Sequence, residues 1–206
     1  MGMKIRNLVL DMGNVLLTWA PEAFALRAAG NEADAGILCG ALFGAPEWQM
    51  QDAGLLTEEV AYHVARSRTP ERLHGALQLL YERWPLWMEP LPGADETTAR
   101  AKRAGLKLYL LSNAGTRFPA AISHHGFIAR FDGMMVSAHE MVSKPDPRIY
   151  RRLFDTFSLS PRECLFVDDI RQNIDAAKQA GMEAHLFDGD FRKVEERLRH
   201  LGVPLP

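Results

Sequence analysis

The chain has 206 residues, 47% hydrophobic and 24% charged, with a formal net charge of −2. This is ordinary globular composition, with material for one domain plus an insertion or for two small domains. A near-neutral balance with Arg and Lys spread along the chain argues against nucleic acid or an acidic membrane as partner, and no run is apolar and long enough to span a bilayer.

Met1-Gly2-Met3-Lys4 lacks the apolar stretch of a signal peptide, and Arg6 stands where a myristoylation signal needs Ser or Thr. The expected compartment is the cytoplasm. From there Ile5–Leu10 reads as a strand ending at Asp11. A helical stretch follows, with segments Pro21–Ala29, Ala33–Phe43, Thr57–Ser67 and Pro70–Trp84. Thr57-Glu58-Glu59 and Thr69-Pro70-Glu71 have the form of helix starts. Beyond Leu91 helices and strands alternate. The helices are Gly93–Ala104, Thr116–His125, Pro147–Phe157, Ile170–Ala180 and Phe191–His200. The strands are Leu106–Leu111, Met134–Ser137, Cys164–Val167 and Glu183–Phe187. Such alternation predicts an α/β fold, a parallel sheet with helices on both faces. Of the two cysteines, Cys39 and Cys164, the second lies inside an apolar strand and reads as a structural thiol.

Asp11, Ser112 and Asp168-Asp169 each follow an apolar run, and open parallel sheets bind ligands beyond the carboxyl ends of their strands. Taken singly, each has an ordinary reading: a surface acid or helix cap, a turn, and for Lys144 an exposed loop position. Context supplies the other reading. Gly13 and Asn14 follow Asp11, and both tolerate positive φ, so the backbone can turn sharply and aim its groups at a ligand. Asp168 and Asp169 repel each other and Asp11 without a cation, and hard oxygen ligands suit Mg²⁺. Asn173, one helical turn beyond Asp169, can face the same place. Lys144, in a loop restrained by Pro145 and Pro147, can balance the acids and hold a phosphoryl oxygen. Ser112 and Asn113 offer a hydroxyl and backbone N–H groups for phosphate oxygens.

In order and context these segments resemble the haloacid dehalogenase-like hydrolase superfamily. Leu8-Val9-Leu10-Asp11-Met12-Gly13-Asn14-Val15-Leu16 is similar to its first motif and Leu110-Leu111-Ser112-Asn113 to its second. Lys144-Pro145-Asp146-Pro147-Arg148-Ile149-Tyr150 is similar to the third, and Phe166-Val167-Asp168-Asp169-Ile170-Arg171-Gln172-Asn173 to the fourth. The resemblance implies a Rossmann-like catalytic core, residues 1–18 and 88–206, with a small helical cap, residues 19–87, inserted after the first strand. It further implies a Mg²⁺-dependent phosphatase for a small phosphorylated metabolite. Asp11 would attack phosphorus to form an aspartyl-phosphate. Asp11, the Gly13 carbonyl and Asp169 would hold Mg²⁺, with Asp168 supporting them. Ser112 and Lys144 would grip the phosphoryl oxygens, and Asn113 would orient the substrate.

One position departs from the family pattern. Most of its phosphatases carry a second aspartate two residues after the nucleophile as general acid and base, and here that position is Gly13. An Asp-x-Gly-Asn motif occurs in a subgroup resembling α-glucose-1-phosphate phosphatase, so sugar phosphates are the expected substrates. Glu47, His63 or a metal-bound water are the candidate proton carriers. Three other readings stand beside this one. A 2-haloacid dehalogenase shares the nucleophile but generally replaces the metal-binding acid that Asp168-Asp169 retains. A phosphate-binding regulatory protein would need no turnover. A two-component receiver places its acid pair first, the reverse of the order here. In the expected cap, Trp19, Glu47, Trp48, Gln51 and Asp52 can reach the substrate, although tryptophans in a small helical insertion commonly form its core. Trp84-Pro85-Leu86-Trp87 is expected at the cap hinge.

Overall fold

Four mainly apolar runs and one mixed edge segment form the strands β1 (Asn7–Leu10), β2 (Lys107–Ser112), β3 (Gly133–Val136), β4 (Cys164–Asp168) and, at the edge, β5 (Glu183–Leu186) in the computed structural model, which describes residues 5–206. The reading of Met1–Lys4 lies outside the described residues. All five strands are parallel, in the order β3-β2-β1-β4-β5, and Leu8 pairs with Leu108 on one side and Leu165 on the other. Side chains alternate between the faces of a strand, and here both sets are apolar, so each face must be covered. Leu8, Leu10, Leu108, Leu110, Leu165 and Val167 enter one buried cluster. Val9, Tyr109, Leu111, Phe166 and Cys164 enter the other. The first face is covered by α6 (Ala94–Arg103) and α11 (Phe191–His200), the second by α9 (Pro147–Phe157) and α10 (Arg171–Gln179). The architecture is the Rossmann-like α/β fold expected from the alternation of elements.

Between β1 and α6 lies a helical layer: α1 (Pro21–Ala29), α2 (Glu32–Leu42), α3 (Pro46–Asp52), α4 (Glu58–Arg68) and α5 (His74–Arg83). Its apolar residues Phe24, Leu38, Leu77 and Leu80 belong to the same cluster as the first sheet face. Thr57 caps α4, its hydroxyl accepting the Val60 N–H at 3.3 Å. Thr69 does not cap the next helix. Its buried hydroxyl turns back to the Ala65 carbonyl at 2.8 Å, and the segment opens with a 3-10 turn, Glu71–Leu73, before α5. The helix expected through Trp84 stops at Arg83, and a second 3-10 turn, Trp84–Trp87, carries Pro85, which has no N–H to donate. Two short helices were not read from the sequence: α3, and α8 (Ser137–Glu140) after β3.

The helix expected over Thr116–His125 shrinks to α7 (Phe118–Ile122), followed by a 3-10 turn, Gly126–Arg130. The cause is tertiary. Glu58 of α4 accepts the Arg117 backbone N–H at 2.5 Å and the Thr116 hydroxyl at 3.2 Å, holding these residues as a loop. No helix among the described residues is long and apolar enough to cross a membrane.

Candidate active site

The sheet order reverses around β1, because the chain runs outward through β2 and β3 and then returns to place β4 on the other side. A crevice opens at such a switch point, beyond the carboxyl ends of the strands. Asp11, Ser112 and Asp168-Asp169 sit there, together with Lys144 from the loop between β3 and α9. They adjoin a cavity of about 330 Å³ that Gly13, Asn113 and Asn173 also line.

Lys144 is 4% exposed and uses all three of its ammonium protons. It donates to Asp11 Oδ1 at 2.8 Å, Asp168 Oδ2 at 2.7 Å and the Leu111 carbonyl at 2.9 Å. Asn113 fixes this lysine from the backbone: its Oδ1 accepts the Lys144 N–H at 2.8 Å and its Nδ2 donates to the Lys144 carbonyl at 2.9 Å. Both ends of the Asn113 amide are therefore engaged with the chain itself. Asp168 is fully buried. Besides the lysine it accepts Asn173 Nδ2 at 3.0 and 3.1 Å and the Ile170 N–H at 2.8 Å. Asn173 thus reaches the site, where it orients Asp168. In the first turn the left-handed residue is Asn14, at φ 53°, and Gly13 is not strained. The Asn14 side-chain Oδ1 accepts the Trp19 N–H at 3.1 Å, and the same side chain hydrogen-bonds Asp169. Ser112, the last residue of β2, is buried at the cavity wall.

One carboxylate oxygen from each of Asp11, Asp168 and Asp169 lies within 4.8 Å of the others. Three acids against one lysine leave the site net negative. Burial pushes Asp11 up to about 7, against the pull of Lys144 and with help from Asp168. Burial also raises Asp169, and the charge of Asp168 adds to it. Burial pulls the Lys144 ammonium down, but Asp11 and Asp168 outweigh it and its pKa stands raised. Such a site calls for a cation, and its hard oxygen donors match Mg²⁺. Asp169 and Asp11 have lone pairs to give, whereas the Asp168 oxygens are already taken by Lys144, Asn173 and the Ile170 N–H.

A family model for haloacid dehalogenase-like hydrolases matches residues 5–181. The chain belongs to this family. It is a hydrolase of that kind, and its fold is the family's. A sesquiterpene phosphatase of Aspergillus oryzae is 27% identical over 87% of this chain and 89% of its own length. An (S)-2-haloacid dehalogenase of Burkholderia cepacia is 29% identical over 65% of this chain and 55% of its own. Among solved structures, a haloacid dehalogenase-family enzyme of Bacteroides thetaiotaomicron, a variant in complex with magnesium and inorganic phosphate, superposes with a TM-score of 0.75. It shares 18% identity, covering 92% of this chain and 98% of that one.

The helical layer supplies the far wall of the cavity. Trp19, Trp48, Gln51 and Asp52 line it as expected from the sequence, and Trp84 and Met88 join them. The tryptophans are both core and wall. Trp19 stacks on Trp48 at 5.4 Å, and Trp84 meets each edge-on at 5.4 Å. Glu47 and His63 do not line the cavity. Arg68 holds Glu47 in a fork with both hydrogen bonds at 2.8 Å, and His63 is exposed on α4. Sequence reading missed Glu58 and Arg117. Glu58 looked like an ordinary first-turn acid, and only its tertiary contacts bring it to the wall beside Arg117.

Proposed function

We propose that this hydrolase is a Mg²⁺-dependent phosphate monoester phosphatase with a sugar phosphate as its best-fitting substrate. In this reading residues 1–18 and 88–206 are the catalytic core and 19–87 the cap. The observation that carries the proposal is the convergence of Asp11, Asp169 and Lys144 on one cavity, with the third acid, Asp168, held beside the lysine.

Asp11 is the nucleophile. Its backbone N–H is tied to the Val167 carbonyl at 3.0 Å, and its Oδ1 accepts the Met12 N–H at 2.7 Å, so the carboxylate is held in one direction. An oxygen of Asp11 attacks phosphorus in line, the alcohol departs, and water then hydrolyses the aspartyl-phosphate. Ser112 and Lys144 hold phosphoryl oxygens, the lysine by turning to the phosphate the proton it otherwise gives Asp11, and Asn113 holds the Lys144 backbone in place. Asp11, the Gly13 carbonyl and Asp169 would hold the Mg²⁺, with Asp168 and Asn173 fixing the frame around them. When bound, that ion neutralises phosphoryl charge and lets one anion approach another. A shared pair of acids after β4 supports phosphate over halide as the group displaced.

Gln51 offers an amide for sugar hydroxyls, and the indole faces suit a sugar ring. The same tryptophan wall, with Met88 and Phe118, favours a second substrate class, a phosphorylated apolar alcohol. One screen separates these readings: phosphate release with Mg²⁺ from sugar phosphates, nucleotides, phosphoglycolate and a prenyl phosphate, repeated after EDTA. Release that stops with EDTA and returns with Mg²⁺ is the expected result. Indifference to chelation, with halide release from 2-haloacids, would establish the dehalogenase, and no release from any ester would favour a phosphate-binding regulator.

A further inference from the structure

A glycine at position 13 leaves the departing alcohol without the carboxyl that family members carry two residues after the nucleophile. The two side chains that sequence reading offered as replacements are out of reach: Glu47 is bound to Arg68, and His63 points to solvent. Asp52, the last residue of α3, is placed differently. It lines the same cavity as Asp11 and Asp169, and it comes from the helical layer where they come from the sheet. It accepts the Gly115 N–H, and no cation among the described residues is paired with it. Glu58 beside it is occupied by Thr116 and Arg117.

The position of this carboxyl is held from behind. The Asp52 carbonyl accepts the hydroxyl of Ser137, and that of Ser143 at 3.4 Å, both on the sheet side of the cavity. Two residues on, Gly54 turns with φ +70°, so near the Ala138 carbonyl that a Cβ would lie 2.3 Å from its oxygen. The end of α3 is thereby pinned to the segment after β3, over the mouth of the crevice. The charged groups facing Asp52 are Glu58 from α4, Asp11 after β1 and, through Glu58, Arg117 after β2; α8 and the loop after it present the uncharged Ser137 and Ser143.

We propose that Asp52 is the general acid and base of this hydrolase, delivering from the helical layer the proton that Gly13 cannot. The assignment rests on the phosphatase reading above. As an Asp11 oxygen bonds to phosphorus and the ester P–O bond breaks, the electron pair stays on the leaving oxygen. That oxygen takes the Asp52 proton and departs as the alcohol. Asp52, now a carboxylate, takes a proton from the water whose oxygen attacks the aspartyl-phosphate. The Asp11–phosphorus bond breaks, inorganic phosphate leaves, and both carboxyls return to their starting states. Burial, with Glu58 and Asp11 nearby, pushes Asp52 up to about 7, which suits a group that must give and take a proton near neutral pH.

The test compares leaving groups in the Mg²⁺-loaded protein. Nitrophenolate departs without a proton, whereas an alkoxide needs one. In Asp52→Asn, first-turnover release from 4-nitrophenyl phosphate stays within a few-fold of the unmodified protein, one equivalent per chain, followed by slow turnover. First-turnover cleavage of an alkyl phosphate falls by roughly a hundred- to ten-thousandfold. Equal losses with the two esters, or no loss with the alkyl ester, overturn the assignment. Should Asp52→Asn fail to fold, the pH profile of the unmodified protein decides: alkyl-ester cleavage falls on the alkaline side, as the proton donor ionises, over a range where nitrophenyl-ester cleavage does not. Parallel profiles overturn Asp52. If the unmodified protein releases phosphate from neither ester, the phosphatase reading falls and Asp52 with it.

Discussion

Replacing Lys144 with methionine removes the one cation from a buried cluster of acids. The lysine is 4% exposed and bonds Asp11 at 2.8 Å and Asp168 at 2.7 Å, so both carboxylates lose their ion pair without gaining water. Breaking a buried pair from one side costs about 3–5 kcal/mol. That is a large share of the roughly 5–15 kcal/mol that holds a domain together. At about 2–4 °C per kcal/mol for a chain of this size, the metal-free variant should melt about 6–20 °C lower at pH 8. The loss depends on pH in a definite direction. Asp11, pushed up from 3.8 to about 7, contributes stability that is present below its ordinary value and is lost as pH rises through about 7. Without the lysine it protonates at still higher pH, so the deficit relative to the unmodified protein is largest above pH 7 and smaller near pH 5. Thermal or urea denaturation of EDTA-treated protein at the two pH values measures both effects. A variant as stable as the parent at pH 8 would refute the buried triad.

Asp11→Asn is nearly isosteric and keeps an acceptor for the Met12 N–H, so the protein should fold while phosphate release falls to background. It should also flatten the metal-free stability profile between about pH 4 and 7, since the raised carboxyl is gone; full activity in this variant would end the nucleophile assignment. Gly54→Ala puts a methyl group 2.3 Å from the Ala138 carbonyl oxygen at a positive φ, and should destabilise by about 1–3 kcal/mol, read as a lower melting temperature.

Much of the molecule follows from local rules. The strands lie within a residue or two of where the sequence predicts them, the inner ones because a parallel strand covered on both faces must be mainly apolar. Pro147 starts α9, and the helix from Phe191 to His200 has its expected bounds. Asp11, Ser112 and Asp168-Asp169 were legible as site candidates because each follows a strand, and one fold brings strand ends together. Thr69, α7 and the break at Trp84 depart from expectation for different reasons: Thr69 turns its hydroxyl back to the Ala65 carbonyl four residues earlier, Glu58 from α4 takes the Arg117 N–H that would extend α7, and Pro85 has no N–H to carry the helix past Trp84.

The sequence by itself determined the alternation of strands and helices, the strand ends at which acids and hydroxyl fall, and the family. These depend on residue periodicity and on neighbours a few positions away. Only the tertiary structure decided that Asp52 lines the cavity while Glu47 and His63 do not, that Asn113 serves the Lys144 backbone, and that Glu58 reaches Thr116 and Arg117. Those pairings join groups dozens of residues apart, and nothing in local spacing encodes a contact made when one layer closes on another.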